Sequence, residues 1–577
     1  MTIHLLRMAA GCAGLDEPWR YVATEASCRE KRRGLPSLEG AQIKKLHNPS
    51  IIFIFLQFSY LQKRVNSMRL SNAALPDISA GVEKPAYDRT QLKSGIVMFG
   101  LGNFARSHLA KYLHDLMQKG EALDWAITGV SLVGTASRDN ALAQDGLYTL
   151  IENPGSDNRA TVIGSVRNVI YAPENPQAVI NVMAAPDIRM VAMAMTANGY
   201  YLDSHGKLML DHPDIRHDLT APRPKTALGY IAHALKTRRD EGVGGFTVQS
   251  LDNIVHNGDY TREALMSFIT AWDPSLPAYA RENTAFPNSM VDRIAPKTAP
   301  KHTALAKALT GLEDGNVIPT EIFTQWVIED AYVAGRPNFE KVGAQFVPDV
   351  TPYEIMKLRL LNVSHLGIAC LGDVAGLAGI DETMANADFQ AFMERLMEEE
   401  TGPTVPEVPG VDLADYKKTL VARFVNPAID DTTQRVATDA PLQVLVDTVR
   451  ERLAANQPIE LLSLIAAAWL KRTRGGKNER GGDIVVNHPL KDELARLGMQ
   501  GASNSDPLPQ LGLKSLFGDL GEDERFVAPV AKYLHLLDTK GVQEAMWRAL
   551  GIDGSAPFKF HTGAVVDNAA GLRPRVT

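Results

Sequence analysis

Four short apolar runs mark the first half of the chain, at residues 94–99, 125–132, 188–195 and 245–250, and each gives way to glycine or polar residues. Runs of this length predict strands buried on both faces, as in a parallel sheet. From Met68 onward such strands alternate with helical patterns. Near residue 351 the text changes. Thr351, Pro352, Tyr353 and Glu354 predict a helix start, with Thr351 as N-cap, Pro352 at the first helical position and Glu354 closing a capping box. Helical spacing then continues through Ile368. The pattern therefore predicts an α/β region over about 85–346 followed by a mainly α-helical region over about 347–577. Residues 474–485, rich in glycine and charge, predict a surface loop.

The first run leads at once into Gly100-Leu101-Gly102-Asn103-Phe104-Ala105, with residues 106–113 following at helical spacing. Strand, glycine turn and helix in that order make the phosphate-binding turn of an expanded Rossmann-type domain. Gly100 permits the tight turn, Gly102 lets backbone approach a pyrophosphate, and Ala105 takes the third glycine's packing place. The helix start offers free N–H groups and partial positive charge. Glycine turns also occur in α/β proteins without a ligand, so the strand–turn–helix setting carries the reading. The third run ends at Thr196-Ala197-Asn198-Gly199-Tyr200, and the fourth runs into Asp252-Asn253-Ile254-Val255-His256-Asn257-Gly258. Polar residues after buried strands suggest a site, although Asp, Asn and Gly also serve ordinary turns. After the second run, Val133 to Ser137 carry no acid for a ribose 2′-hydroxyl, and Arg138 could accept a 2′-phosphate instead. Cofactor choice stays open.

At about 100° per residue, Glu354, Lys357 and His365 fall within an arc of about 80°, with Asn362 about 60° beyond. Such a set suits oxidation of a secondary alcohol. The reaction needs a base for the hydroxyl proton and donors for the developing alkoxide. A lysine serves as base once burial lowers its pKa from ~10.4 toward neutrality. Asparagine amides donate without titrating. On spacing alone, Lys357 also fits a surface lysine and His365 a satisfied core histidine.

Composition narrows the partners. Across 577 residues, 45% hydrophobic and 22% charged residues describe a globular chain of more than one domain. The net charge of −7 argues against nucleic-acid binding, which needs a basic face. Cys12, Cys28 and Cys370 are the only cysteines. They exclude a disulfide framework and a thiolate zinc site, and suit a reducing, cytoplasmic setting. No tight histidine pair predicts a zinc site either. Residues 1–67 lack a sustained period and are expected to be a disordered extension or an upstream translation of a protein starting near Met68. Their apolar run at 51–56 is too short to span a bilayer, and no membrane association is expected.

Several segments, in order, resemble the polyol-specific long-chain dehydrogenase (mannitol dehydrogenase) family. They are residues 100–108, 144–150, 252–258, 286–294 and 325–327, Lys357 to His365, and residues 408–413 leading to 423–429. The Lys-x4-Asn-x2-His helix and the residue stretches 252–258 and 286–294 are the specific parts. The resemblance implies a zinc-independent dehydrogenase with Lys357 as general base and Asn253 and Asn362 as the oxyanion pocket. It further implies that His365 orients substrate, that Asp292 and Arg423 contact substrate hydroxyls, and that Glu354 is a candidate proton relay. Gly100, Gly102, Asn103, Phe104 and Thr196 would hold the cofactor, NAD with NADP open. The expected partner is a polyol or ketose of the D-mannitol and D-fructose type, and the expected state a monomer. A uronate reductase of the same family and a catalytically silent dinucleotide binder are the alternatives. The chain departs from the family where Ala197 and Asn198 follow Thr196, since relatives carry Glu-Gly there.

Overall fold

The computed structural model describes residues 69–152, 158–203 and 205–552. The expectations for residues 1–67 fall outside them.

Eleven strands are assigned along the described chain: β1 Ser94–Phe99, β2 Ala126–Ser131, β3 Tyr148–Glu152, β4 Arg159–Ile163, β5 Val166–Tyr171, β6 Met190–Met193, β7 Thr247–Ser250, β8 Ser289–Asp292, β9 Ile318–Thr320, β10 Gln325–Glu329 and β11 Gln345–Val347. Five pair in parallel in the order β5-β2-β1-β6-β7. Ile96 of the central strand faces Ile127 on one side and Met190 on the other. Residues 96–99 are fully buried, as a strand covered on both faces requires. Strand order reverses between β1 and β6, and at such a reversal the carboxyl ends diverge into a crevice where ligands bind. The fold is therefore a Rossmann-type α/β domain joined to a mostly helical C-terminal part.

The four apolar runs became β1, β2, β6 and β7, with trimmed ends. β7 starts at Thr247, and Gly245 just before it is pressed against the Asn283 carbonyl, where a Cβ would fall 1.8 Å from the oxygen. β5 went unread because Arg167 is exposed between buried Val166 and Val169, so no continuous apolar run marks it. Two smaller sheets, β4-β3-β9 and β11-β10-β8, flank the main one.

Among the helices are α1 Asn103–Ser107, α2 Ala136–Ala143, α3 Asn257–Trp272, α4 Thr351–Ala375, α5 Leu413–Phe424, α6 Glu460–Arg474 and α7 Glu524–Thr539. α4 is apolar enough in length and composition to cross a bilayer, but 72% of its most apolar stretch is buried inside the protein. Gly367 and Gly372 let it pack closely, for a Cβ on either would come within 2.8 Å of Ile465 or Thr383. α6 is buried on nearly every side from Leu461 to Leu470, as expected of a helix at the centre of a bundle. Residues 475–483 form the exposed loop expected there, closed by pairing of Lys477 with Asp483.

The start of α4 differs from the expected cap. Val350 is the N-cap and Thr351 the first helical residue, its N–H bonded to the Asp349 carboxylate at 2.9 Å. Glu354 does not fold back on the helix start, because a tertiary partner takes its carboxylate. Nor is α4 uniformly α-helical. Lys357–Asn362 form a π-helical turn, with the Val363 N–H bonded to the Leu358 carbonyl. The 100° spacing therefore fails across the lysine-to-histidine segment, and wide turns of this kind gather at functional sites.

Gly100 has φ +78°, and a Cβ there would lie 2.0 Å from the Ala194 carbonyl oxygen. Gly100→Ala is expected to cost roughly 2–4 kcal/mol from left-handed backbone strain and overpacking. Denaturant unfolding checks this, and a variant as stable as wild type would contradict the packing described.

Candidate active site

The glycine turn sits at the end of β1. Gly102 is the N-cap of α1, and a Cβ on it would meet nothing nearer than the Gly100 carbonyl oxygen at 4.0 Å. The backbone is thus open where a pyrophosphate would approach. The helix behind it is not continuous, since the chain breaks at His108, with φ −109° and ψ −90°. Burial pushes the His108 imidazole down to about 3, so the ring is neutral, stacked on Phe104 and set edge-on to Trp326. Asn103 donates to the Pro296 carbonyl at 2.8 Å and Phe104 lies on His108, so both side chains face protein. These residues fit a dinucleotide through backbone and open space rather than through their side chains.

Asp252, at the end of β7, clamps the loop after β6. Its carboxylate accepts from Met195 N–H at 3.0 Å, Thr196 N–H at 2.8 Å and Tyr200 O–H at 2.6 Å. Thr196 pays for its position with φ +66°, a strained conformation for a β-branched residue. Asn257 then stitches β7 to β8: its amide donates to the Asp252 and Ser289 carbonyls, and its oxygen accepts from Ser289 N–H. Arg293 binds the Ser107 carbonyl at 2.7 Å and Glu152 at 2.5 Å, fixing the end of α1 to β3. Much of the two motif stretches is scaffold.

Lys357 projects from α4 to this junction and is 7% exposed. Its ammonium donates to Asn253 Oδ1 and to the Val291 carbonyl, each at 2.5 Å. Burial lowers its pKa, while Asp292 acts in the opposite direction. With Oδ1 turned to the lysine, the Asn253 amide leaves its N–H groups as donors at an exposed position. Asn362 Oδ1 is buried without a partner. His365 packs against Phe424 at 4.7 Å, and burial first, then Arg423, pushes it down to about 3. It is a neutral donor and acceptor.

Glu354 lies one turn before the lysine. Its carboxylate accepts the His256 N–H at 3.1 Å, and burial pushes its proton affinity up to about 7. The His256 ring stands 3.9 Å away and its side chain is 42% exposed, so this pair leads from the buried carboxyl to the surface.

Asp292 and Arg423 meet each other. Arg423 forms two bonds of 2.9 Å with Asp292 and two of 2.8 Å with Glu321, all buried. Burial opposes the guanidinium charge, but the two carboxylates prevail and hold it above its ordinary range. Beside it a narrow cleft opens at His365, walled by Ile380, Asp381, Ile429 and Asp431. Elsewhere, Glu83, His114 and Asp115 bring potential metal ligands within 4.8 Å, but Lys111 holds both Asp115 oxygens.

Residues 94–341 match the mannitol dehydrogenase Rossmann domain, and residues 349–538 match the mannitol dehydrogenase C-terminal domain. The chain belongs to the mannitol dehydrogenase family. It is 39% identical to a mannitol 2-dehydrogenase of Phaeosphaeria nodorum over 83% of this chain and 85% of that protein. It is 40% identical to one of Aspergillus fumigatus over 84% and 98%. Among solved structures it is similar to Pseudomonas fluorescens mannitol 2-dehydrogenase in ternary complex with NAD and D-mannitol. That match has TM-score 0.78 and 38% identity, covering 84% of this chain and all of that one. A substrate-free D-sorbitol dehydrogenase gives TM-score 0.75 and 32% identity, over 83% and 100%.

In this mannitol dehydrogenase family member, Lys357 meets Asn253 and the Val291 carbonyl at one junction, Glu354 lies one turn before it, Asn362 and His365 follow on the same helix, and Asp292 and Arg423 pair with each other and with Glu321. Sequence reasoning assigned no role to Asp252, Asn257 or Glu321. Asp252 could have been suspected from its place after a buried strand. Glu321 follows β9, which has no strong period, and its partner lies 102 residues away.

Arg423→Met would leave two buried carboxylates without their cation, and is expected to destabilise the fold by about 3–5 kcal/mol. Urea unfolding measures it. A second expectation concerns pH. Glu354 releases its proton near 7 in the fold against the ordinary 4.5, so the folded state binds more protons between those values and loses stability as pH rises through them. Glu354→Gln removes that slope. Paired unfolding curves should show wild type falling relative to the variant from about pH 4.5 to 7.

Proposed function

We propose that the chain is an NAD-dependent polyol dehydrogenase that interconverts a secondary alcohol of a D-mannitol-like polyol with its ketose, using Lys357 as general base without zinc. The observation that carries this reading is the buried Lys357 amine, held by a carboxamide oxygen and a carbonyl beside the carboxyl ends of β7 and β8. The NAD and D-mannitol named for the Pseudomonas fluorescens relative support the cofactor and substrate class.

When bound, the nicotinamide supplies the hydride acceptor. The residues of the chain manage the proton and the charge. Neutral Lys357 takes the hydroxyl proton as the hydride leaves the same carbon, and burial favours that neutral form. The Asn253 and Asn362 amides donate to the developing alkoxide, and neutral His365 hydrogen-bonds a neighbouring hydroxyl. Glu354, poised near 7 and paired with half-exposed His256, passes the proton toward solvent.

The charge around the pocket favours a neutral polyol over a uronate. Arg423 already faces Asp292 and Glu321, and Asp381 and Asp431 line the cavity next to His365. A sugar carboxylate would meet Asp381 there, while Arg423 is committed to Asp292 and Glu321 and Arg435 to Asp431. We also propose a monomeric, cytoplasmic enzyme, in keeping with Cys370 as a buried free thiol.

Turnover of polyols, ketoses and uronates, followed by NADH absorbance, tests this reading. D-mannitol or a close polyol should outpace every uronate, and Lys357→Ala should lower kcat about 10²–10⁴-fold while dinucleotide binding persists. Unchanged turnover in the variant would overturn the mechanism, and faster uronate turnover would overturn the substrate class.

A further inference from the structure

The dinucleotide reading leaves the choice between a ribose hydroxyl and a ribose 2′-phosphate, and the structure around the end of β2 bears on it. In a sheet of this order the adenosine ribose lies at the carboxyl end of the strand next to the glycine-turn strand. Here that strand is β2, followed by Leu132, Val133, Gly134 and Thr135, none of them acidic. The turn is pinned: Ser131 Oγ donates to the Val133 and Gly134 carbonyls, and Gly134 has φ +76°. Val133 is 91% exposed, so it fills no protein contact of its own.

The first charge after this turn is Arg138, in the opening turn of α2. Its guanidinium lies over the Tyr171 ring at 5.6 Å, at the end of β5. Its Nε and Nη2 bond Asp139 Oδ1 at 2.9 and 2.8 Å, and its Nη1 bonds the Glu174 carboxylate. The cation is thus fixed from three sides, and the cluster carries one positive and two negative charges. Asp139 is the neighbour of Arg138 in sequence. Glu174 arrives from the loop after β5, and its side chain is 63% exposed.

We propose that Glu174 is the cofactor-selecting residue of this chain: by engaging Arg138 it denies that cation to a 2′-phosphate and favours NAD(H) over NADP(H). A phosphate monoester brings about −1.5 to −2 charges at pH 7, and here it would approach two carboxylates whose counter-charge is already taken. A ribose hydroxyl instead donates to such a carboxylate, as it does to the acid that ordinarily follows the second strand. Glu174 therefore supplies from β5 the negative charge that β2 lacks. An exposed ion pair of this kind contributes little to folding, so its removal should leave the fold intact.

This inference rests on the dinucleotide reading above. Calorimetric titration with NAD+ and with NADP+ tests it on wild type, Glu174→Gln, Arg138→Ala and the double variant. Wild type should bind NAD+ at least about 10-fold tighter than NADP+. Glu174→Gln should narrow that ratio by about 5–10-fold, mainly by tightening NADP+, and the gain should shrink at high salt. Adding Arg138→Ala should cancel it. An unchanged ratio in Glu174→Gln would overturn the proposal. So would a wild-type preference for NADP+ that Arg138→Ala abolishes, because Arg138 would then already hold the phosphate. Binding of neither dinucleotide to wild type would overturn the dinucleotide reading itself, and this inference with it.

Discussion

A buried ammonium group needs partners, and the Lys357 amine finds two on the Rossmann side of the molecule: the Asn253 carboxamide and the Val291 carbonyl. These acceptors stand at the ends of β7 and β8, while the lysine belongs to α4 at the head of the helical part. One side chain therefore joins the two halves and has its basicity set by the junction. Neutral acceptors stabilise the charged amine only partly, and removal from water disfavours it, so the direction of the shift is downward. An amine held in this way gives up its proton more readily than an ordinary lysine.

The surrounding residues maintain that balance. Arg423 locks Asp292 and Glu321 into a buried network, so the carboxylate nearest the lysine is already paired with a cation. Without Arg423, a free Asp292 charge would raise the lysine's proton affinity and oppose its role as a base. The π-helical turn from Lys357 to Asn362 rotates the amide and imidazole that follow relative to the lysine. The Asp252 clamp holds the loop after β6, with Thr196 strained in it, against the same crevice. Strain at Thr196, buried charge at Arg423 and the irregular turn of α4 are all tied to the strand ends that hold Lys357, and such departures are where a fold gives up stability for function.

What the sequence made legible were features whose physics is local. Apolar runs located β1, β2, β6 and β7, the glycine turn followed directly, and the helix carrying Glu354, Lys357 and His365 was legible, although the π-helical turn inside it was not. What escaped depended on distant partners. Glu354 looked like a capping-box residue until His256, 98 residues earlier in the chain, claimed its carboxylate. The pairing of Asp292 and Arg423 with each other and with Glu321 was not legible, because nothing in the text announced Glu321 as the third member of their network. In β5 the polar pair Arg167-Asn168 interrupts the apolar residues, so no run marked it, although it completes one side of the sheet. Local propensity proposes caps and strands, and tertiary pairing decides among them.

The central claim is that Lys357 is less basic than an ordinary lysine because the fold dehydrates it. The most direct measurement is a pH titration of its acylation by acetic anhydride, with each lysine-containing peptide quantified by mass spectrometry and exposed Lys418 as internal reference. Burial slows access but leaves the midpoint readable. The account predicts a midpoint for Lys357 below the ordinary ~10.4 and below that of Lys418. A midpoint equal to or above the reference would contradict it.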